Sequence, residues 1–403
     1  MKDITGRNKT NMQLDNRSLL LSLIKNNENI CRKDLAELSG LTGAAVTNLI
    51  RALVEVGIVS EHRDYQGTRS RNAISLKINY EKYLIIGVSF RRGSINYGVA
   101  DLSGKVLKRH ELFLDLDQSV DHVFTALSTA IDNCLEEFAE KGTIVGLGLA
   151  SPGPINNKKG QISFLTNVEG WKDVPIKKYF QDRYDFPVIL IEAANATAIA
   201  EKWFGCAQDS KNFISVLVSK GVGAGIVLNN NLYYGNAGYA GEIGHASINY
   251  NGPLCQCGNR GCLELYCSTL TLLKRAQAVY GTKLLKKIDD LFRFSNGNNQ
   301  ELINLVKENG QYLGYAIVNI INSFNPELIV INSEIKHFGD IWLQAINSSV
   351  NSRLLPESFS DIAIKYSALD NDPVFLGAIA MVCEYVFNKP QLGYFKEKEK
   401  ITS

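Results

Sequence analysis

The sequence predicts an α/β protein in which a winged helix-turn-helix head precedes two α/β lobes. Residues 1–80 hold three short amphipathic helical patterns, followed by two strand patterns that flank a polar loop. From about Lys82, β-hairpins and apolar strands alternate with amphipathic helices, a pattern typical of two α/β lobes with a ligand cleft between them. A glycine-containing segment at 241–268 adds one histidine and three closely spaced cysteines, which indicates a metal-binding loop.

The head is predicted to contain three helices, at 16–25, 30–40 and 42–57. Glycine residues end the second and third helices, and Thr42 caps the start of the third. Two helices joined by a short turn form the helix-turn-helix arrangement. The positions expected to face the core are Leu35, Ala36 and Leu38 in the second helix and Val46, Leu49, Ile50 and Leu53 in the third.

The other face of the third helix carries small and hydrogen-bonding residues, which a DNA major groove can accept. A polar loop between two strand patterns follows it, and the basic tip of such a wing can touch phosphates or the minor groove. The predicted DNA-binding residues are Thr42, Gly43, Ala44, Ala45, Thr47, Asn48 and Arg51 in the helix and Arg69 and Arg71 in the wing. Residues 1–80 hold twelve Lys and Arg against eight Asp and Glu, so double-stranded DNA is the expected partner. The alternative is a three-helix protein-interaction module with a solvated loop.

Composition excludes several classes of protein. The chain has 403 residues, of which 45% are hydrophobic and 21% charged, an ordinary globular mixture that allows two or three domains. No run of about 18 apolar residues appears, and the N-terminus lacks the apolar core of a signal peptide. We therefore expect a cytoplasmic protein without a membrane span. The isolated cysteines, Cys31, Cys134, Cys206 and Cys383, are expected to be small buried hydrophobic residues.

The segment 241–268 has the ligand spacing of a zinc site. Cys255, Cys257 and Cys262 lie within eight residues of one another and follow His245. Three thiolates and one imidazole suit a tetrahedral Zn²⁺, with Zn–S bonds of about 2.3 Å and a Zn–N bond of about 2.0 Å. This ligand set leaves no position for a catalytic water, so the zinc is expected to be structural. The alternative is a group of free buried cysteines or a disulfide, which a reducing compartment disfavours.

Taken together, the winged head, the two lobes and the sequence GEIGH…CxCGxxGCLE resemble the ROK family of repressors, open-reading-frame proteins and sugar kinases. The resemblance covers essentially the whole chain. It implies lobes of the actin-like, sugar-kinase type and the sensing of a sugar or a sugar derivative. The boundaries expected from it are a DNA-binding domain at 1–80, a first lobe at 81–195 completed by a C-terminal helix at 373–389, and a second lobe at 196–372 with the zinc loop.

The positions that resemble the phosphate-binding turns of the family's kinases are altered in this chain. Ser89 stands where the first turn has its aspartate, and Arg91 and Arg92 stand where glycines would let the backbone approach phosphate. In the second turn, Lys220 replaces the threonine. After the strand ELIVIN, the pair at 332–333 is Asn-Ser where the kinases have two glycines.

The catalytic base of the family's kinases is also absent by resemblance. Those enzymes carry an Asn-Asp pair before the helix that begins Ala-Asn-Ala, and the aspartate takes the proton of the sugar hydroxyl. Here the pair is Glu192-Ala193, and Ala193 cannot accept a proton. Glu192 is one position off, and on a strand its side chain is expected to point the other way. We therefore expect no enzymatic activity.

Part of the sugar site is expected to be kept. The resemblance implies sugar contacts at Gly153, Asn167, Glu192, Glu242, His245 and Glu264. Carboxylates accept pairs of hydroxyl groups, and a metal-held imidazole can donate its other N–H. Three alternatives stay open: the Ser-Pro-Gly-Pro segment around Gly153 is a plain turn, Asn167 caps a local turn, and Glu264 supports the zinc ligands instead of binding sugar.

The effector is not fixed by these residues. In the family the pair at 192–193 also touches the sugar, and Ala193 leaves one hydroxyl without a partner. The ligand then lacks that hydroxyl or carries a bulkier group there, or the pocket has moved away from free hexoses. The family includes xylose repressors, so a pentose is a candidate.

The combined prediction is a sugar-responsive transcriptional repressor of carbohydrate-utilisation genes. It is expected to be a homodimer or a homotetramer, because helix-turn-helix heads read paired half-sites. Effector binding is expected to close the lobes and change the spacing of the heads. The alternatives are a sugar kinase with an added DNA-binding head, a regulator controlled by a protein partner, and an activator in place of a repressor.

Overall fold

The computed structural model describes residues 9–63, 74–91, 93–114, 116–165, 168–295, 299–355, 362–369 and 372–395. The chain divides into two compact units. The first unit is built from residues within 1–149, 177–189 and 378–403, and the second from 150–176 and 190–377. The domain boundaries expected from the resemblance stay a prediction.

The first elements of the chain form the winged helix-turn-helix head that the sequence predicts. They are α1 (Lys9–Asn26), α2 (Arg32–Ser39), α3 (Gly43–Val56), β1 (Val59–Arg63) and β2 (Ile74–Ile78). Strands β1 and β2 pair antiparallel, with Val59 opposite Ile78 and Arg63 opposite Ile74. The residues between these strands, including Arg69 and Arg71, lie outside the described part of the chain.

Local signals set the ends of the head's helices. Gly40 follows α2 with φ 70° and donates its N–H to the Ala36 carbonyl at 3.1 Å. The Thr42 hydroxyl accepts a hydrogen bond from the Ala45 N–H at 3.2 Å and so caps α3. Gly57 ends α3 with φ 84°, a left-handed conformation that glycine adopts without strain.

One expected core position of the head is wrong, and two others, Ala36 and Leu49, are only half-buried. Leu35 is fully buried, as predicted, but Leu38 is 58% exposed. Leu38 lies in the last turn of a short helix, which leads to the surface at Gly40 and not into the core. In α3, by contrast, Val46, Ile50 and Leu53 are all fully buried, because a longer helix keeps its apolar stripe against the head's core.

The body of the protein alternates strands and helices. In chain order its elements are β3 (Tyr83–Arg91), β4 (Ser94–Asp101), β5 (Val106–Leu112), α4 (Val120–Phe138), β6 (Thr143–Ser151), β7 (Ile155–Asn156), β8 (Gln161–Phe164), β9 (Lys172–Val174), α5 (Ile176–Arg183), β10 (Val188–Glu192), α6 (Ala193–Trp203), β11 (Phe213–Val218), β12 (Val222–Leu228), β13 (Asn231–Leu232), α7 (Glu264–Cys267), α8 (Thr269–Tyr280), α9 (Ile288–Ser295), α10 (Gln300–Phe324), β14 (Leu328–Ser333), α11 (Asp340–Asn351), β15 (Ala363–Tyr366) and α12 (Pro373–Asn388).

The sheet that contains the start of the body has the strand order β10-β6-β3-β4-β5. Strand β3 is its middle strand and pairs antiparallel with β4, with Leu84 opposite Asp101. Every residue of β3 except Arg91 is buried, so this strand lies in the interior of the first unit. In that unit α12 approaches β6 closely: a Cβ at Gly148 would lie 2.0 Å from the Ala378 carbonyl oxygen.

The second unit is built on a sheet of order β13-β12-β11-β14-β15. Strand β11 pairs antiparallel with β12 and parallel with β14. Helix α6 packs against β11 and β12, while α10 and α11 pack against each other. Trp342, Ile317 and Ile331 are fully buried in the apolar core that these elements share. A small sheet of order β7-β8-β9 belongs to the same unit. The two five-stranded sheets and the helices that alternate with their strands along the chain have the α/β architecture that the sequence predicts.

Within the described residues, no helix combines the length and the hydropathy that crossing a bilayer requires.

The contact at Gly148 makes a prediction about stability. Gly148→Ala forces a methyl group against the α12 backbone, and we expect it to lower the free energy of unfolding by about 1–3 kcal/mol. Gly43→Ala is the control, because a Cβ there meets nothing within 4 Å and alanine favours helix. Urea denaturation of both variants measures the effect. Equal stabilities for the two would contradict the close approach of α12 to β6.

Candidate functional site

Four donor atoms of the segment 241–268 lie together in the second unit. They come from His245, Cys255, Cys257 and Cys262, and all lie within 4.8 Å of one another. The Cys257 and Cys262 sulphurs are 3.6 Å apart, and the Cys255 sulphur is 3.8 Å from the His245 Nδ1. A tetrahedral ion with metal–sulphur bonds of about 2.3 Å requires ligand separations of about 3.8 Å. These residues could therefore hold a metal ion, and their spacing fits a small tetrahedral one.

Backbone geometry brings these donors together. Gly241 and Gly261 have φ of 92° and 65°, and at each a Cβ would lie 1.8 Å from a backbone oxygen. An isolated bridge pairs Ser247 with Cys262, which joins the histidine side of the segment to the cysteine side. The Asn259 Nδ2 donates to the His245 carbonyl at 3.1 Å. The loop is thus closed by hydrogen bonds, with glycine required where two backbone segments touch.

The thiols of the cluster differ in how readily they ionise. Burial raises the pKa of Cys255, and burial with the neighbouring thiols raises the pKa of Cys262 to about 12. Although burial opposes it, the Asn259 N–H and the two neighbouring thiols lower the pKa of Cys257. A metal binds thiolates, so loading this cluster must release protons, and metal affinity must fall in acid.

Glu264 and Glu242 lie beside the metal cluster. The Glu264 Oε1 is 3.3 Å from the Cys255 sulphur and 3.5 Å from the His245 Nδ1. Glu242 immediately precedes the short 3₁₀ turn that carries His245. Burial raises the pKa of Glu242, His245 lowers it and Glu264 raises it. Two carboxylates and an imidazole are therefore gathered at one place, where they can bond several hydroxyl groups of a ligand.

Glu192 belongs to the same group of carboxylates, but its side chain does not point away as predicted. It is the last residue of β10, and its carboxylate turns onto the start of α6. There its two oxygens accept the N–H groups of Ala194 and Asn195 at 2.8 and 2.9 Å. The expectation of strand geometry fails because the chain changes from strand to helix at this residue, where an acidic side chain can cap the helix. Burial, with a contribution from Glu242, raises the pKa of Glu192 to about 7.

Of the two remaining predicted sugar contacts, Gly153 and Asn167, the structure describes only Gly153. Gly153 has φ 79°, and a Cβ there would lie 2.5 Å from the Phe164 carbonyl oxygen, so the turn needs glycine. The next strand, β7, brings the Ile155 carbonyl close to Gly238, a few residues before Glu242. Asn167 lies outside the described residues.

Two positions that resemble the kinases' nucleotide contacts have other partners here. In the second unit the Asn332 Nδ2 donates to the Ser215 hydroxyl at 2.9 Å, and Ser215 lies 2.8 Å from the Thr197 hydroxyl. These three side chains are buried and link β14, β11 and α6. In the first unit Ser89 is fully buried within β3. Ala193 begins α6 and is 8% exposed.

The predicted DNA-binding face of α3 is open to solvent. Thr42, Gly43, Ala44, Asn48 and Arg51 are exposed, and Ala45 and Thr47 are half-buried. The Thr47 hydroxyl donates to the Gly43 carbonyl at 2.8 Å. This face is the side of α3 opposite its buried stripe, so it can enter a groove without unfolding the head.

The body and the head each match a known family. The ROK family model matches residues 85–384, and a winged helix-turn-helix DNA-binding model matches residues 14–60. The chain belongs to the ROK family. This membership confirms the family and the fold that the sequence predicts.

Relatives of this ROK protein match it over most of both chains. The xylose repressor of Bacillus spizizenii is 32% identical over 372 residues, which cover 92% of this chain and 95% of that protein. The DNA-binding transcriptional dual regulator NagC of Escherichia coli is 30% identical over 380 residues, covering 91% and 92%.

Solved structures of the family agree with this fold. A ROK family transcriptional regulator, a homolog of the E. coli MLC protein, superimposes with a TM-score of 0.84 at 25% identity, over 95% of this chain and 99% of that chain. A ROK family glucokinase from Streptomyces griseus has a TM-score of 0.65 at 23% identity, over 74% of this chain and 98% of that one. The second likeness concerns the fold of the body alone.

Two contacts of the site were missed by sequence reasoning. Glu192 as the cap of α6 could have been found, because an acidic residue between an apolar strand and an alanine-rich helix is a helix-start signal. The bond from Asn259 to His245 could not, because it joins residues 14 positions apart through a loop whose path depends on its glycines.

The raised pKa of Glu192 predicts a pH dependence. In the unfolded chain the pKa of this carboxyl is about 4.3. In the folded protein its pKa is about 7. The folded state therefore holds the proton more tightly, so stability decreases as pH rises from about 4.3 to about 7. Glu192→Gln removes this loss but keeps an oxygen that can cap α6. Its stability relative to wild type should rise by on the order of 2 kcal/mol between pH 5 and pH 8.

Chemical denaturation at both pH values measures the difference. The metal cluster is common to both proteins, so its own pH dependence cancels in the comparison. Glu169→Gln, at an exposed position, is the control. A Glu192→Gln variant whose advantage is the same at pH 5 and pH 8 would show that this carboxyl titrates normally.

Proposed function

We propose that this protein is a sugar-responsive, DNA-binding transcriptional repressor of carbohydrate-utilisation genes and has no kinase activity. The observation that carries the proposal is a capped α3 with an exposed polar face in the same chain as a ROK body. Relatives that match over 90% of both chains are named xylose repressor and DNA-binding transcriptional dual regulator, which supports the same conclusion.

DNA recognition is assigned to α3 and the wing. Asn48 and Arg51 are exposed hydrogen-bonding side chains of α3, and they suit base edges and phosphates. Around them lie small residues that let the helix approach the groove. Arg69 and Arg71 are proposed to reach phosphates or the minor groove. Since each head reads one half-site, we propose a homodimer or homotetramer acting on an operator in the cytoplasm.

The metal is proposed to be a structural Zn²⁺. Three thiols and one imidazole are the donors that zinc prefers, and four protein ligands complete its tetrahedron. When bound, the ion ties the histidine and cysteine sides of the loop together. With Nδ1 next to the sulphurs, Nε2 is the nitrogen of His245 left for a ligand hydroxyl.

The effector is proposed to bind beside the metal loop of the second unit. Glu242, Glu264 and Glu192 supply hydroxyl acceptors there, and His245 supplies a donor. Gly153 and Asn167 are proposed to complete the contacts. The raised pKa values of Glu192 and Glu242 indicate carboxyls that water reaches poorly, and in such a place hydrogen bonds to a neutral sugar discriminate well. A pentose such as xylose is a candidate.

We propose that kinase activity is lacking because of the residues at the start of α6. Ala193 occupies the place of the base and has no proton acceptor. Glu192, its neighbour, turns its carboxylate onto the start of α6, where the two oxygens accept the Ala194 and Asn195 N–H groups and keep further acceptor positions for a ligand hydroxyl. Asn332 is 2% exposed, and its Nδ2 donates to Ser215 inside the fold, which does not suit it to contact a nucleotide.

A selection followed by a sugar panel tests the proposed function. Wild-type protein selects duplexes from a random library, and thermal shifts identify which pentose, hexose or amino sugar binds. A sugar at 100 times its Kd should add about 2.7 kcal/mol of stability. The same sugar should release the selected duplex in a gel-shift titration. Arg51→Ala should weaken the selected duplex by about 1–3 kcal/mol, whereas Lys33→Ala, an exposed cation on α2, should not.

Two results would contradict this function. One is a protein that enriches no duplex sequence. The other is ADP release from ATP that requires a sugar, measured in a coupled assay, because it would restore the kinase alternative.

Removal of the metal should abolish the response to sugar while leaving DNA binding in place. Chelation of zinc, or His245→Ala, is expected to abolish release of the duplex by sugar, because His245 joins the metal loop to the effector site. Duplex affinity without sugar should change less than threefold, roughly, since α3 is in the other unit. Gel-shift titrations with and without sugar measure both quantities. Parallel loss of DNA binding and sugar response would argue against this link.

A further inference from the structure

The C-terminal end of α3 is fastened to the body within the first unit. The Val56 carbonyl, the last of the helix, accepts a hydrogen bond from the Tyr83 hydroxyl. The Lys82 Nζ donates to the same carbonyl at 3.3 Å. Phe395 completes the contact, because the Tyr83 hydroxyl also lies 3.2 Å from the Phe395 carbonyl oxygen. We call Lys82, Tyr83 and Phe395 the α3 anchor.

The two aromatic residues of the anchor are buried, and Lys82 is half-buried. Tyr83 is fully buried and Phe395 is 1% exposed. Their rings meet edge to face with centroids 4.9 Å apart, an arrangement that favours aromatic packing. The short 3₁₀ turn Leu392–Phe395 packs against α3 as well. The C-terminal end of α3, the proposed recognition helix, is thus packed against residues that lie outside the head.

Helix electrostatics explain why these groups suit this position. The last carbonyls of a helix have no partner within the helix, and that end carries partial negative charge. The Lys82 ammonium supplies positive charge there and the Tyr83 hydroxyl supplies a donor. Lys82 also lies against the left-handed residue that ends α3: a Cβ at Gly57 would be 2.7 Å from its Nζ. Both the charge and the shape of the helix end are matched.

The anchor joins α3 to the middle of a sheet. Tyr83 is the first residue of β3, the central strand of its five-stranded sheet. The Lys82 carbonyl accepts the Thr143 N–H at 3.0 Å, at the start of β6. A rotation of β3 or β6 would therefore carry the end of α3 with it.

We propose that Lys82, Tyr83 and Phe395 are positioning residues for DNA recognition, which set the angle of α3 although they touch no DNA. This inference rests on the proposed DNA-binding function and extends it to residues of the body. Because the anchor holds the helix to the central sheet, specific recognition depends on it. Non-specific binding depends mainly on phosphate contacts and does not.

The test compares two conservative variants with a matched control in the full-length protein. Tyr83→Phe removes the hydroxyl and keeps the ring, and Lys82→Met removes the charge and keeps the stem. Tyr184→Phe removes another hydroxyl of the first unit, one that lies 2.9 Å from Asp132 and far along the chain from α3. Fluorescence anisotropy gives the Kd for a duplex selected by wild type and for a scrambled duplex of the same length.

The two anchor variants should bind the selected duplex roughly threefold to tenfold more weakly, and the double variant more weakly still. Binding to the scrambled duplex should stay within twofold, roughly, of wild type. Tyr184→Phe should leave both constants unchanged. Hydrogen exchange of the Gly57 amide should be faster in the anchor variants alone, because it reports the last turn of α3.

Several outcomes would overturn the positioning role. Equal losses for the selected and scrambled duplexes would mean that the variants only unfold the head. If wild type selects a duplex but Lys82→Met and Tyr83→Phe bind that duplex as tightly as wild type does, the positioning role of the anchor is wrong and the proposed DNA-binding function stands. A wild type that selects no duplex would remove the proposed function and the positioning role together.

Discussion

The candidate site of this protein depends on one constraint: four donor atoms from a single loop must lie within 4.8 Å of one another. The ends of segment 241–268 pack against the apolar core, in which Leu263 and Cys267 are fully buried. Its tip does not, since Tyr250 and Leu254 are 83% and 65% exposed. The conformation of the segment comes from glycines at close backbone approaches, from the hydrogen bond between Asn259 and His245, and from the contacts among the thiols. A bound ion would supply free energy that this exposed tip cannot obtain from burial, which is how small metal-binding segments are stabilised.

The same loop decides the electrostatics of its surroundings. Glu242 interacts with both Glu192 and Glu264, and neighbouring carboxylates disfavour each other's ionisation. A neutral ligand rich in hydroxyl groups can lie among such groups without adding charge, and each carboxylate oxygen can accept one of its protons. A phosphorylated ligand would bring two more negative charges to this place. If the proposed effector lies among these carboxylates, their charge would favour a free sugar over a sugar phosphate.

Local sequence signals predicted much of this structure. Gly40, Thr42 and Gly57 define the helices of the head because each acts within four residues along the chain. The cysteine spacing predicted the donor group for the same reason. Leu38 was predicted wrongly because periodicity does not reveal where a short helix leaves the core. The α3 anchor was not predictable at all, since Tyr83 and Phe395 are 312 positions apart in the sequence. A tyrosine at the start of an apolar strand looks like any core residue until its hydroxyl is seen to face a helix end.

A recognition helix cannot define its own angle to DNA. Helix α3 has 14 residues, and an isolated helix of that length is only marginally stable in water. Its buried stripe fixes its rotation within the head, but a head on a free tether would still sample many orientations relative to a second half-site. Fastening the last carbonyl of α3 to the first residue of a central strand removes that freedom. The sheet of the first unit can then act as a frame for α3, and a change at β3 would be transmitted directly to the C-terminal end of that helix.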